Sequence, residues 1–393
     1  LLYNVGSRNE KRGKTGLAHF FEHMMFQGSA NLEKGMHFKL LNQVGGVLNA
    51  STSSDYTKYW ETVTSNYLEL ILFLESERMG NFIPALTQEK IQNQIDVIVN
   101  ERLENYDNQP YGLSSEKLHA MMFTEDHPYS WPTIGYINDI KSFSIEDTKD
   151  FFQKYYSPSN ATLLIGGDFE KEKTIKLIEK YFGEIPSNQE DLKNEVLVPE
   201  NSTKSKLKFE YEDKVELQKL SLAWHIIKST EEEDVILDFI CLILTGSKNG
   251  RLTKKIIYQE EKCSSIDATL YSRKYSGLFI VSAKIRHEFN AEEIKNEILT
   301  ELEIIKKSGI DEDEFIRTLN NYKTGFLLSM EGISSLCTNL NRFNFYFNEP
   351  DLLNNFYKTY CGITNDDIIR VANKFFDDSF CEMIIHPMRG ANE

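Results

Sequence analysis

One constellation in the sequence is suited to metal chemistry: His19-Phe20-Phe21-Glu22-His23. Residues four apart on an α-helix share a face, so His19 and His23 can bring two imidazoles to one ion. Glu22 borders the same face, three after His19 and one before His23. A carboxylate there can act as a general base toward water that the ion acidifies. The competing reading is a pair of satisfied histidines on an amphipathic helix. Eight histidines in 393 residues make a chance H-x-x-E-H rare. Catalytic zinc takes three protein ligands and keeps one position open, so a third must come from elsewhere. Glu101 is the candidate, in Ile95-Asp96-Val97-Ile98-Val99-Asn100-Glu101-Arg102. Ile91, Ile95 and Ile98 mark the buried face of that helix, and Glu101 lies one turn beyond Ile98. Helix logic alone leaves Glu101 evenly divided between a metal ligand and a solvated surface glutamate.

These side chains must be positioned by surrounding elements. Thr15 to Phe26 has helical apolar periodicity, with Gly13-Lys14-Thr15 before it and Gly28 after it. Val44 to Val63 reads as a hairpin turning at Ser53-Ser54-Asp55. Tyr67 to Asn81 and Thr87 to Tyr106 read as helices, and Ala161 to Ile165 as a strand. In the second half, Leu220 to Ile226 and Leu278 to Ile285 read as strands. Glu292 to Ser308 and Asp311 to Met330 read as helices.

A polar stretch from Glu184 to Lys206 holds two prolines and separates two apolar-patterned halves. The expected domains are 1–188, carrying the metal residues, and 206–393, with a linker at 189–205. The halves share three ordered matches. Ser144-Ile145-Glu146-Asp147 with its following helix and strand pairs with Thr364-Asn365-Asp366-Asp367. Leu86-Thr87-Gln88-Glu89 pairs with Ile310-Asp311-Glu312-Asp313. Gln27-Gly28-Ser29 pairs with Thr245-Gly246-Ser247. The order suggests an ancient duplication. Strands neighbouring in sequence beside runs of helix indicate an α+β fold of two homologous domains, each an antiparallel-rich sheet packed with helices.

Composition narrows the function classes. With 44 Lys+Arg against 60 Asp+Glu, the net charge is −16, which argues against nucleic acid as a partner. Five scattered cysteines without a C-x-x-C pair indicate neither a disulfide framework nor a cysteine zinc site. No apolar run approaches the ~20 residues of a membrane span. The chain opens without Met inside a strand-like stretch, so a preceding segment is expected. The compartment is left open, with the bacterial periplasm or cytoplasm favoured.

H-x-x-E-H is the inverted order among zinc peptidase motifs. Gly6-Ser7-Arg8-Asn9-Glu10 and Gly16-Leu17-Ala18-His19-Phe20-Phe21-Glu22-His23-Met24-Met25-Phe26-Gln27-Gly28-Ser29 resemble the pitrilysin/insulinase family of zinc metallopeptidases. Gly45-Gly46-Val47-Leu48-Asn49-Ala50-Ser51-Thr52, Ile98-Val99-Asn100-Glu101, His127-Pro128-Tyr129, Ile134-Gly135 and Gly166-Gly167-Asp168 continue the resemblance. It is strongest over residues 3–170 and thinner beyond. It points to the half-size branch, similar to bacterial zinc peptidases and the mitochondrial processing peptidase β-subunit.

The resemblance implies one Zn2+ per chain held by His19, His23 and Glu101, with Glu22 as general base in peptide-bond hydrolysis. It implies unfolded peptides or presequences as substrates, paired along an edge strand at Asn49 and Ala50. The competing reading of Asn49 is a plain strand-end residue. Arg251, in Asn249-Gly250-Arg251-Leu252, resembles a substrate-contacting arginine. The tyrosine that accompanies it in the family falls at Ser264 here, near Tyr258 and Tyr271. A glutamate the family often carries seven residues before Glu101 is replaced by Gln94. Leu237, Ile240 and Cys241 stand opposite His19, Glu22 and His23 in the second half, and Gly325 opposite Glu101.

A homodimer, or a heterodimer with a related subunit, is the implied assembly. The alternative function is a non-catalytic core subunit of a larger complex. His127-Pro128-Tyr129 reads as loop structure, Phe343 to Phe347 as core or interface, and Glu231 to Asp234 as a solvated helix start.

Overall fold

The computed structural model describes residues 1–187, 196, 198 and 207–388. The expected linker, apart from residues 196 and 198, lies outside the described residues. Contacts divide the chain into two units, Leu1–Asn108 with Glu125–Glu200, and Gln109–Thr124 with Asn201–Glu393. The first half therefore lends a short excursion to the second unit.

The first unit begins with β1 (Leu2–Tyr3), α1 (Leu17–Met24), α2 (Met36–Gln43), β2 (Val47–Thr52), β3 (Thr57–Thr62), α3 (Leu68–Gly80) and α4 (Gln88–Arg102). A wide helical turn at Leu103–Asp107 continues α4. The next helix, α5 (Ser114–Met122), belongs to the second unit. The first unit then resumes with α6 (Ile137–Ile140), α7 (Ile145–Tyr155), β4 (Ala161–Thr162) and α8 (Lys171–Phe182). Its sheet runs β2-β3-β1-β4 with every neighbouring pair antiparallel. The expected hairpin is present, closed where the Ser53 N–H donates to the Tyr56 carbonyl. The strand expected over Ala161 to Ile165 is shorter. Its partner β1 offers only Leu2 and Tyr3, so the ladder stops at Thr162.

Amphipathicity turns α1 to its working orientation. Leu17, Ala18, Phe20, Phe21 and Met24 are buried, while His19, Glu22 and His23 occupy the partly open face. Phe21 stacks on Phe151 and Tyr156, with ring centroids 5.4 and 5.0 Å apart. The Tyr59 hydroxyl donates to the Phe21 carbonyl at 3.2 Å. These contacts hold the helix against α7 and β3, so its rotation is fixed.

In the second unit α5 is followed by β5 (Lys208–Asp213), β6 (Gln218–Ile226), α9 (Glu233–Thr245), β7 (Cys263–Tyr271) and β8 (Gly277–Ile285). Helices α10 (Ala291–Ser308), α11 (Glu312–Ser329), α12 (Ile333–Phe347), α13 (Leu352–Cys361) and α14 (Asn365–Phe375) follow, and then β9 (Cys381–Pro387). The sheet order is β5-β9-β6-β8-β7, antiparallel except for the β5–β9 pair. Helix α5 joins this unit through specific bonds: Tyr111 Oη donates to the Leu217 carbonyl at 2.7 Å, and His225 Nε2 meets the Met122 carbonyl at 2.9 Å. The matched segments take matching forms. Ser144 and Thr364 each form a reciprocal capping box, with Asp147 and Asp367, at the start of α7 and α14. Each of those helices leads into a sheet strand, β4 or β9.

Candidate metal centre

Helix α1 starts at Gly16, whose φ of 94° lies in the left-handed region. A Cβ there would sit 2.6 Å from the Ile134 carbonyl oxygen, and one on Gly135 (φ 83°) only 2.3 Å from that of Thr15. Two backbones thus touch where side chains would keep them apart. Glycine has no side chain to accept the first N–H groups of the helix, and the buried Glu10 carboxylate does so instead. It accepts the Gly16 N–H on Oε2 and the Ala18 N–H on Oε1, each at 2.8 Å. Arg102, the last residue of α4, donates through Nη1 to the Gly135 carbonyl at 2.7 Å. One loop therefore ties the start of α1 to the end of α4, next to Glu101.

That registration brings three ligand atoms together. His19 Nε2 lies 3.7 Å from Glu101 Oε1, and His23 Nε2 lies 3.3 Å from Glu101 Oε2. Donors about 2.0–2.2 Å from a tetrahedral ion stand about 3.3–3.6 Å from one another, close to both separations, and one ligand atom from each of the three residues lies within 4.8 Å of the others. Both separations exceed the usual length of a direct N–H···O bond, about 2.9 Å. Among the described residues, this is the one group of His, Cys, Asp and Glu placed to hold a metal. Burial, reinforced by His23, pushes the His19 imidazole down to about 4. It is neutral at physiological pH, the form that ligates. His23 holds the Glu101 carboxyl below its ordinary range, so that group is ionised, the form in which a carboxylate ligates.

Glu22 stands beside them. Burial raises its carboxyl above the ordinary range, while Thr52 opposes the shift. The Thr52 hydroxyl donates to Glu22 Oε2 at 2.6 Å. Asn49 and Ala50 lie in β2, an edge strand. The Tyr59 N–H donates inward to the Leu1 carbonyl, so its antiparallel partner Ala50 turns its own N–H to the open edge. Asn49 Oδ1 accepts that N–H at 2.9 Å.

Arg251 belongs to the second unit, where its guanidinium is engaged. Nε and Nη2 grip the Glu314 carboxylate at 2.6–3.1 Å, and Nη2 also donates to the Gly309 carbonyl. In α9, Leu237, Ile240 and Cys241 are buried in the core. Asp234 departs from the expected solvated helix start, because Ser272 donates to its carboxylate and burial raises it to about 7. His127 is fully buried with its Nδ1 accepting the Tyr129 N–H, and Phe343 packs edge-on against Phe356. Sequence reasoning passed over Glu10, Arg102 and Thr52. An acid just upstream of a helix that opens on glycine was an available signal for Glu10. Thr52 carried none, because its role depends on pairing between a strand end and α1.

Residues 1–133 match the family model described as insulinase (peptidase family M16), and residues 142–322 match the peptidase M16 inactive domain. The zinc protease PqqE of Helicobacter pylori is 29% identical over 96% of this chain and 85% of its own length. The β-subunit of the mitochondrial-processing peptidase of Saccharomyces cerevisiae is 26% identical over 95% of this chain and 82% of its own. A crystal structure of a protease from Helicobacter pylori superposes with a TM-score of 0.90 at 28% identity, covering 98% of this chain and 92% of the other. Both family models, in order along a chain of this length, and relatives matched nearly end to end show that the chain belongs to the half-size branch of the pitrilysin/insulinase (M16) family of zinc peptidases.

Proposed function

We propose that the protein is a zinc-dependent endopeptidase acting on unfolded peptides or presequences. The observation that carries this reading is the convergence of His19, His23 and Glu101 within ion-sharing distance, with Glu22 beside them. One Zn2+ per chain would polarise a peptide carbonyl and acidify water. The Glu22 carboxylate would take a proton from the attacking water and return it to the departing amine. Its raised carboxyl makes it the stronger base of the two glutamates. Glu101 stays ionised and serves as a ligand.

An extended peptide adds to the open edge of β2, with the Asn49 amide and the Ala50 backbone as contacts. Pairing through main chain is indifferent to side chains, which suits a broad range of unfolded segments. For Arg251, a substrate contact requires sharing the guanidinium with Glu314. The yeast relative's name, subunit beta, supports an assembly of at least two chains, either a homodimer or a heterodimer. The non-catalytic core reading is disfavoured, because nothing but a metal calls for three donors gathered beside a spare carboxylate.

The test is Glu22→Gln. It is expected to retain zinc, measured by emission spectroscopy, and to lose cleavage of a quenched-fluorescence peptide library by about 10³-fold or more. Cleavage by Glu22→Gln at the wild-type rate would remove Glu22 from the chemistry. A wild-type chain that binds zinc yet cleaves nothing, alone or with a related subunit, would restore the core-subunit reading.

A further inference from the structure

The base must be held where the substrate strand presents its scissile bond, and one side chain spans both. We infer that Thr52 is a positioning residue that fixes the Glu22 carboxylate relative to the substrate-binding edge of β2, an inference that rests on the peptidase reading above. Thr52 is the last residue of β2, two beyond Ala50, so both side chains leave the same face of the strand. Ala50 on that face is buried in the core that also holds Phe20, Phe21 and Met24 of α1. From the adjoining position the Thr52 hydroxyl donates to Glu22 Oε2 at 2.6 Å. Thr52 is the residue whose side chain holds Glu22 among the hydrogen bonds of the described residues.

A positioning residue must itself be fixed, and the hairpin tip beyond Thr52 is heavily restrained. Ser53 Oγ accepts the Asp55 and Tyr56 N–H groups at 3.1 and 3.0 Å. Asp55 is buried against Arg8 at 3.0 Å and accepts the Tyr129 hydroxyl at 2.6 Å. The strand that receives a peptide therefore ends in a rigid turn that also fixes the base. Free of Thr52, Glu22 could rotate about its own side-chain torsions, and only a fraction of its rotamers would face the reacting water. A loose base costs turnover, since the backbone edge that binds peptide is unaltered.

The test compares Thr52→Val, which keeps shape and β-branching but loses the hydroxyl, with Thr52→Ser, which keeps the hydroxyl. Each is made in the full chain, loaded with zinc and assayed on a quenched-fluorescence peptide in the assembly that supports wild-type cleavage. For Thr52→Val, kcat is expected to fall about ten- to a hundredfold, the worth of one hydrogen bond to a charged group. KM and zinc content should stay within about twofold. Thr52→Ser should recover most of kcat. Unchanged kcat in Thr52→Val, or a Thr52→Ser variant as impaired as Thr52→Val, overturns the inference. A crystal structure of zinc-loaded Thr52→Val decides independently of turnover. Displacement of the Glu22 carboxylate supports the inference, and a carboxylate left in its wild-type place overturns it. A wild-type chain without cleavage refutes the peptidase reading separately, and the crystallographic comparison still decides what Thr52 does.

Discussion

Removing the Glu10 carboxylate tests how α1 is set. Glu10→Ala leaves the Gly16 and Ala18 N–H groups, now bonded at 2.8 Å each, in a buried site with no acceptor. At about 1–3 kcal/mol for each stranded donor, the structure implies about 2–6 kcal/mol. Cap replacements on more open helices cost about 0.5–2 kcal/mol, so a loss of about 3 kcal/mol for the first unit is expected. Glu10→Gln keeps one acceptor and turns its amide toward the other N–H, so it should lose about half as much. Urea unfolding of the zinc-free chain, read by hydrogen exchange in peptides spanning residues 14–26, confines the measurement to the first unit. With a slope of about 2–3 kcal/mol per molar urea, the midpoint should move about 1–1.5 M lower. A Glu10→Ala midpoint within ~0.3 M of wild type would show that the carboxylate is not what starts α1.

Two further outcomes follow from the geometry. Zinc at a hundred times its dissociation constant should stabilise the first unit by about 2.7 kcal/mol. Glu101→Gln should abolish most of that increment while leaving zinc-free stability nearly unchanged; an undiminished increment would exclude Glu101 as a ligand. Asp234 titrates near 7 in the fold because burial raises it, with Asp238 reinforcing the shift and Ser272 and Arg342 opposing it. A raised carboxyl contributes stability fully present below its unfolded value near 4 and lost as pH rises through about 7. The second unit should therefore weaken by up to about 4 kcal/mol across that window. Asp234→Asn should flatten the slope, and an equally steep slope in that variant would place its origin elsewhere.

The H-x-x-E-H motif was legible because two imidazoles four residues apart, with a carboxylate between them, need only helical geometry to share a face. Glu101 was half legible. Its helix and apolar face could be read from Ile91, Ile95 and Ile98, but its approach to His23 depends on Arg102 and Gly135 setting α4 against α1. The hairpin and most helices followed from periodicity. The strand after Asn160 did not keep its expected length, because strand length belongs to the neighbour as much as to the sequence itself. Asp234 looked solvated within a run of four acids. Position along a helix, with Asp238 and Cys241 one and two turns later, turns it inward, and a charge run conceals that. Glu10 and Thr52 act through contacts that join distant segments, which no local pattern displays.

The bond from the Ala50 N–H to Asn49 Oδ1 gives the edge of β2 a built-in occupant. An incoming chain must evict that side chain before its own carbonyl can take the donor, so little is gained in hydrogen bonding and the encounter is close to an even trade. An exposed strand whose central donor is already spoken for is a poorer template for zippering onto copies of itself. It also releases whatever it has held about as readily as it took it up.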